Sequence, residues 1–116
     1  MEQQRNVLKI PFVADAEVAP ENTPGATISA RVKEISLQGC YLETPAPYNL
    51  QTMVLVKIFA PGKYFEAKAK VISVDPASGM GILFRETKPN FRAVLQHWLL
   101  HGIRKNREDN EPSLLG

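Results

Sequence analysis

The chain has 116 residues, 44% of them hydrophobic and 22% charged, which suits one domain with a single core and leaves no room for two domains around a cleft. Fourteen basic residues against 12 acidic ones leave a formal charge of +2, too small an excess to indicate binding to duplex nucleic acid. The single cysteine, Cys40, excludes an internal disulfide and a multi-cysteine zinc site, and it fits a reducing compartment. No hydrophobic run approaches the roughly 20 residues of a membrane span, and the N-terminus lacks the apolar stretch of a signal peptide. We therefore expect a cytoplasmic protein without membrane insertion.

Proline and glycine divide the chain into short segments with the alternating pattern of half-buried β-strands. In the second of these segments, Ile28, Ala30 and Val32 alternate with polar side chains. Pro61-Gly62 predicts a tight turn between the fourth and fifth segments. The predicted strands are residues 10–18, 26–35, 40–42, 52–60, 64–75 and 80–85.

The hydrophobic period changes after Pro89, a residue that suits the first turn of a helix. Apolar residues then recur at helical spacing from Phe91 to Leu99. Gly102 is expected to weaken this helix or end it early.

Six antiparallel strands and one C-terminal helix predict a mainly β fold, a six-stranded barrel with the helix packed on its surface or at one end. We divide the chain into a flexible N-terminal arm (1–9), the barrel with its helix (10–105) and a polar tail (106–116). The expected core comprises Ile28, Val32, Leu42, Val54, Val56, Phe65, Val71, Ile82, Phe84, Val94, Leu95 and Trp98.

The residue patterns that carry catalysis are missing from this sequence. Its two histidines, His97 and His101, have the spacing of two metal ligands on one helix face, but no further ligand completes a motif. Cys40 has no candidate base beside it, and buried cysteines usually behave as small apolar residues. The sequence predicts neither an enzyme nor a bound cofactor or metal.

Two segments carry the groups that a guanine nucleotide needs. Arg5 and Lys9 lie four residues apart before the first strand, and Glu34, Ser36 and Gly39 lie at the end of the second. Cations contact phosphates and the acceptor edge of guanine, whereas a carboxylate and a hydroxyl contact its donors. Glycine allows a ligand to approach the backbone closely.

The order and spacing of these segments resemble the PilZ domain, the bacterial cyclic di-GMP receptor module. Its pattern is Arg-x-x-x-Arg on an N-terminal arm, a strand, and then Asp/Asn-x-Ser-x-x-Gly. The resemblance covers roughly residues 5–100 and includes the segment Gly79–Phe84. It implies the six-stranded barrel, an arm that orders over the ligand, and a surface that changes for an effector protein. The ligand-binding residues that it implies are Arg5, Lys9, Glu34, Ser36 and Gly39.

The motif departs from the family pattern at two positions. Lys9 keeps the charge of the usual arginine but loses its bidentate fork and its stacking face. Glu34 stands where Asp or Asn is usual and moves the carboxylate outward by about 1.3–1.5 Å, which is large against hydrogen-bond tolerances.

Other interpretations remain open from the residues. Arg5 and Lys9 could be an ordinary solvated terminus, while Ser36 could satisfy backbone groups in a turn in which Gly39 supplies a positive φ. The alternative function is an adaptor that binds partner proteins without nucleotide, through the helix or an exposed region around Tyr41 and Tyr48. A single-stranded nucleic-acid binder is disfavoured because no strand face interleaves aromatic residues with cations.

Overall fold

The computed structural model describes residues 9–23 and 25–110, and it describes side chains as far as residue 102. Within these residues the chain forms six strands and one helix. They are β1 (Ile10–Pro20), β2 (Ile28–Ile35), β3 (Gly39–Glu43), β4 (Met53–Ala60), β5 (Lys63–Asp75), β6 (Gly79–Glu86) and α1 (Pro89–Asn110). The element bounds agree with the sequence prediction to within a few residues, except at the end of the helix.

The strands form a closed barrel in the order β1-β2-β3-β6-β5-β4, and β1 and β4 close it. Every neighbouring pair is antiparallel, so the predicted six-stranded antiparallel barrel is confirmed. The tight turn is confirmed as well, because Ala60 pairs with Lys63 and Gly62 has a φ of 73°. The strand order places β6 between β3 and β5, which brings residues distant in sequence onto one stretch of barrel wall.

The predicted core residues belong to one hydrophobic cluster formed by the barrel strands and α1. Nine of the expected residues are buried, and Ile28, Phe84 and Val94 are partly buried against them. Strict alternation from Ile28 would place Glu34 inside the barrel. A register shift between Val32 and Glu34 reverses the pattern, so Ile35 is buried and Glu34 faces outward. Because of this shift, a β-bulge, the carboxylate of Glu34 lies at the outer surface of the barrel.

Helix α1 packs against β1 and β5. The ring of Trp98 lies 4.9 Å from that of Phe12 and 6.1 Å from that of Phe65, measured between centroids. The helix continues through Gly102 to Asn110, so the expected early end at Gly102 is wrong. An ideal Cβ on Gly102 would lie 2.1 Å from Cδ1 of Ile10. The side chain of Ile10 on β1 thus occupies the space beside Gly102. In the part of the chain that the structure describes, no helix has the length and apolar character needed to span a membrane.

Candidate functional site

The connection between β2 and β3 is a hairpin held by Ser36. The buried Ser36 donates its backbone N–H to the Gly39 carbonyl at 2.8 Å. Its hydroxyl oxygen accepts hydrogen bonds from the backbone N–H groups of Gln38 and Gly39, at 3.1 and 3.2 Å, and donates to the Gly39 carbonyl at 3.3 Å. A serine hydroxyl has one donor and two acceptor sites, so all three are used within the hairpin. Ser36 therefore satisfies backbone groups of the turn, which is one of the interpretations that the sequence left open.

Gly39 is required by close strand packing. Among the described residues, positive φ values occur at Gln51, Gly62 and Ala77, so the positive φ considered for Gly39 is wrong. An ideal Cβ on Gly39 would lie 2.0 Å from the carbonyl oxygen of Ile82 on β6. The missing side chain allows β3 and β6 to pair at this point.

A cavity of about 400 Å³ lies beside this hairpin, at the outer wall of the barrel. Four of the five predicted ligand-binding residues line it: Lys9, Glu34, Ser36 and Gly39. The fifth, Arg5, lies outside the described residues. The remaining lining residues come from the hairpin and from the adjoining strands, namely Ile35, Gln38, Cys40, Tyr41, Ile72, Ser73, Gly81, Ile82 and Leu83.

Strand pairing explains why the two sequence segments meet at this cavity. Lys9 directly precedes β1, and the first residue of β1, Ile10, pairs with Ile35 at the end of β2. Glu34 pairs with Tyr41 on β3. The exposed Lys9 and Glu34 thus give the cavity one cation and one carboxylate, which suit an anionic group and a donor edge respectively.

The wall across β3, β6 and β5 was not predicted. Tyr41 pairs with Gly81, and Gly81 pairs with Ser73. An ideal Cβ on Gly81 would lie 2.5 Å from Oγ of Ser73, so the glycine leaves space between its two neighbours. Ile72 and Leu83 add exposed apolar side chains to the same cavity.

The Tyr41 hydroxyl donates a hydrogen bond to Oδ2 of Asp75 at 2.5 Å. This hydrogen bond, with smaller effects from desolvation and the negative charges of Asp75 and Glu43, raises the pKa of Tyr41 to about 12. The hydrogen bond to Asp75 holds the ring of Tyr41 at the edge of the cavity.

The sequence model of the PilZ domain family matches residues 2–101. The chain belongs to the PilZ domain family. No curated protein sequence matches it.

Solved structures share the fold of this PilZ domain at low sequence identity. The Bacillus subtilis inhibitor of motility (MotI/DgrA) gives a TM-score of 0.74 at 19% identity, over 95% of this chain and 55% of that one. The PilZ domain of YcgR from Escherichia coli with c-di-GMP gives a TM-score of 0.73 at 17% identity, over 92% of this chain and 97% of that one. YcgR from Escherichia coli in complex with c-di-GMP gives a TM-score of 0.76 at 18% identity, over 92% of this chain and 49% of that one. The chain thus spans about half the length of the first and the third of these.

Neither the two histidines of α1 nor Cys40, which lines the cavity, carries metal or thiolate chemistry. The exposed rings of His97 and His101 stack with centroids 6.4 Å apart, and the described residues hold no group of three or more metal-ligating side chains. Burial raises the pKa of the Cys40 thiol, which makes the thiolate inaccessible at neutral pH. Cys40 therefore packs as a small apolar residue.

The region around Tyr41 and Tyr48, expected to be exposed, is only partly so: Leu50 is exposed, whereas both tyrosines are half-buried. The half-buried Tyr48 directs its hydroxyl to the carbonyl oxygens of Ala26 and Val18, at 2.6 and 3.1 Å. Tyr41 is also half-buried, and its hydroxyl is engaged by Asp75. Tyr48 therefore anchors the loop after β3 to the end of β1.

Proposed function

We propose that this PilZ domain is a non-enzymatic cyclic di-GMP-binding signalling module whose ligand site is the cavity beside the β2–β3 hairpin. The observation that carries the proposal is that Lys9, Glu34, Ser36 and Gly39, the described residues at the family's motif positions, line one cavity. Two structures with the same fold, both of YcgR, contain c-di-GMP. Arg5 completes the proposed set.

The proposed contacts divide into two kinds. Lys9 supplies a charge for a phosphate, and the Glu34 carboxylate accepts from the ring N–H and the amino group of guanine. Ser36 and Gly39 already use their hydrogen-bonding groups within the hairpin. Their main contribution is therefore to fix the hairpin, which holds Glu34 against the cavity.

The proposed mechanism couples ligand binding to the N-terminal arm. Lys9 lies at the cavity and at the end of the arm, residues 1–9. A ligand held between Lys9, Arg5 and the barrel would order the arm over the cavity. The ordered arm would present a changed surface to an effector protein, and this interaction would transmit the signal.

The two departures from the family motif set the expected affinity. A good bidentate contact to a base is worth about 1–3 kcal/mol, and both Lys9 and Glu34 depart from the geometry that provides one. If each forfeits that amount, the two together cost about 2–6 kcal/mol, and affinity falls by roughly thirtyfold to twenty-thousandfold relative to a site with the full motif. We therefore expect weak binding.

A second candidate function is an adaptor that binds partner proteins without nucleotide. The observation in its favour is that Ser36 and Gly39 are fully explained by hairpin hydrogen bonds and strand packing. A motif that the fold itself requires can persist without a ligand.

Calorimetric titration of the full chain with cyclic di-GMP separates the two functions, with GTP as the control nucleotide. The receptor proposal expects heat with cyclic di-GMP, a loss of at least tenfold in affinity for Lys9→Ala, and unchanged affinity for Lys63→Ala. Lys63 is a matched control because it is an exposed lysine outside the cavity. A folded parent that gives no heat with millimolar ligand would favour the adaptor. Equal loss in both lysine variants would refute the site.

A further inference from the structure

Tyr41 spans three strands of the barrel wall. Its backbone lies in β3 and its hydroxyl is bonded to Asp75, the last residue of β5. Strand β6 runs between them, and there Gly79 faces the tyrosine side chain. An ideal Cβ on Gly79 would lie 2.6 Å from the Tyr41 hydroxyl oxygen and 2.9 Å from its Cε2. The ring, together with the Leu42 carbonyl oxygen 2.4 Å from that Cβ position, therefore occupies the volume that any other side chain at residue 79 would take.

This placement fixes the ring at both of its ends. The backbone holds one end through the pairing of Tyr41 with Glu34 and Gly81, and Asp75 holds the hydroxyl. The ring is half-buried, so part of its surface remains open at the cavity. A planar group held in this way loses little conformational freedom when a second planar group packs on it.

Among the described residues that line the cavity, Tyr41 is the only aromatic one. Lys9, unlike the arginine usual at its position, has no planar face for stacking. A planar ligand group in this cavity would therefore find its aromatic partner on the β3–β6 side.

We propose that Tyr41 is the stacking platform for one purine base of the bound nucleotide and that Asp75 is the residue that positions it. This inference rests on the proposed function and adds to it a contact that lies outside the family motif. Stacking of a base on an aromatic side chain is tolerant of base identity because every base has a π face. Tyr41 thus strengthens binding, whereas Glu34 provides the selection for guanine.

The test compares cyclic di-GMP binding by the full-length parent with that of Tyr41→Leu, Tyr41→Phe and Asp75→Ala. Calorimetry gives the affinity, and the decrease in guanine ultraviolet absorbance on binding reports stacking. We expect Tyr41→Leu to weaken binding about tenfold or more and to abolish the absorbance decrease. Tyr41→Phe keeps the ring but loses the hydrogen bond to Asp75, so it should weaken binding and the absorbance decrease to the same extent as Asp75→Ala, without abolishing either.

Asp75 provides a variant that leaves the ring intact. Asp75→Ala removes the hydrogen-bond acceptor and should weaken both binding and the absorbance decrease. Asp75→Asn, whose side-chain oxygen still accepts a hydrogen bond, should restore both. Tyr64→Leu is the matched control, since Tyr64 is a half-buried tyrosine that donates to a carboxylate, Glu66, but lies outside the cavity.

The outcomes separate this inference from the function on which it rests. A parent that binds no cyclic di-GMP would remove the proposed function and the platform together. A parent that binds, with Tyr41→Leu and Asp75→Ala unchanged in affinity and absorbance, would overturn the platform alone. If Tyr41→Leu fails to fold, the comparison of Asp75→Ala with Asp75→Asn decides the proposal, because equal values for these two would refute it.

Discussion

Gly39→Ala tests whether the motif glycine serves the barrel itself. The added Cβ would lie 2.0 Å from the Ile82 carbonyl oxygen, 3.0 Å from its carbon and 3.2 Å from Cα of Leu83. All three are backbone atoms, so no side-chain rotation relieves the clash. Separation to an acceptable distance requires strands β3 and β6 to move apart by about 1 Å, which strains a close-packed wall.

The expected cost follows from overpacking and from the weakened pairing of Gly39 with Leu83. Overpacking costs about 1–3 kcal/mol, and a disturbed hydrogen bond adds about 1 kcal/mol. We expect a loss of about 3 kcal/mol in the free energy of unfolding. For a domain of this size that corresponds to a decrease in Tm of roughly 10 °C.

Thermal and urea unfolding followed by circular dichroism measure this loss without ligand. Gly25→Ala is the matched control, because a Cβ on Gly25 meets nothing within 4 Å, and it should remain within about 1 kcal/mol of the parent. A Gly39→Ala protein that melts within about 2 °C of the parent would refute the packing explanation. The glycine would then have to be explained by a ligand.

Three further predictions concern the core, alkaline pH and the motif. Trp98→Ala should cost about 3–5 kcal/mol of stability in urea unfolding, because the buried ring packs on Phe65; a midpoint equal to the parent's would exclude that packing. The pKa of Tyr41 is raised from 10.0 to about 12, so its contribution to stability is complete below pH 10 and is lost as the pH rises toward 12. Between about pH 9 and pH 11 the urea midpoint of Tyr41→Phe should therefore decrease less than that of the parent, and an equal decrease in both proteins would refute the assignment of the raised pKa to Tyr41. Lys9→Arg and Glu34→Asp should each tighten cyclic di-GMP binding by about 1 kcal/mol or more, and Arg5→Ala should abolish it; a folded double variant without calorimetric heat would favour the adaptor.

Most of the fold could be predicted because local patterns and tertiary structure agree. The alternation in β2, β4 and β5 matches the buried positions, and Pro61-Gly62 forms the turn that its residue types require. The outward placement of Glu34 could not be read from alternation, because it depends on a register shift between strands. Gly102 misled because one glycine costs a helix only about 1 kcal/mol, whereas the packing of α1 on β1 and β5 supports the helix as a whole.

The candidate site could be predicted only as far as its local motif. Lys9, Glu34, Ser36 and Gly39 meet as the spacing implied. The opposite wall, with Tyr41, Ile72 and Leu83, depends on β6 lying between β3 and β5. The pairing of β3 with β6 joins residues 36 to 44 positions apart, from Glu43 with Gly79 to Gly39 with Leu83, and no local period encodes it. The glycines at 79 and 81 were the available signal, since two glycines on one strand face leave room for a neighbouring ring or ligand.

Backbone amide NMR spectra of the labelled full chain, titrated with cyclic di-GMP, test the central claim most directly. If the cavity is the ligand site, saturable shift changes will concentrate in Glu34–Gly39 and at Gly81 on the facing strand. GTP at the same concentration should not reproduce them. Saturating cyclic di-GMP that leaves these amides unchanged, or that shifts only the β1–β4 wall around Phe59, would contradict the account.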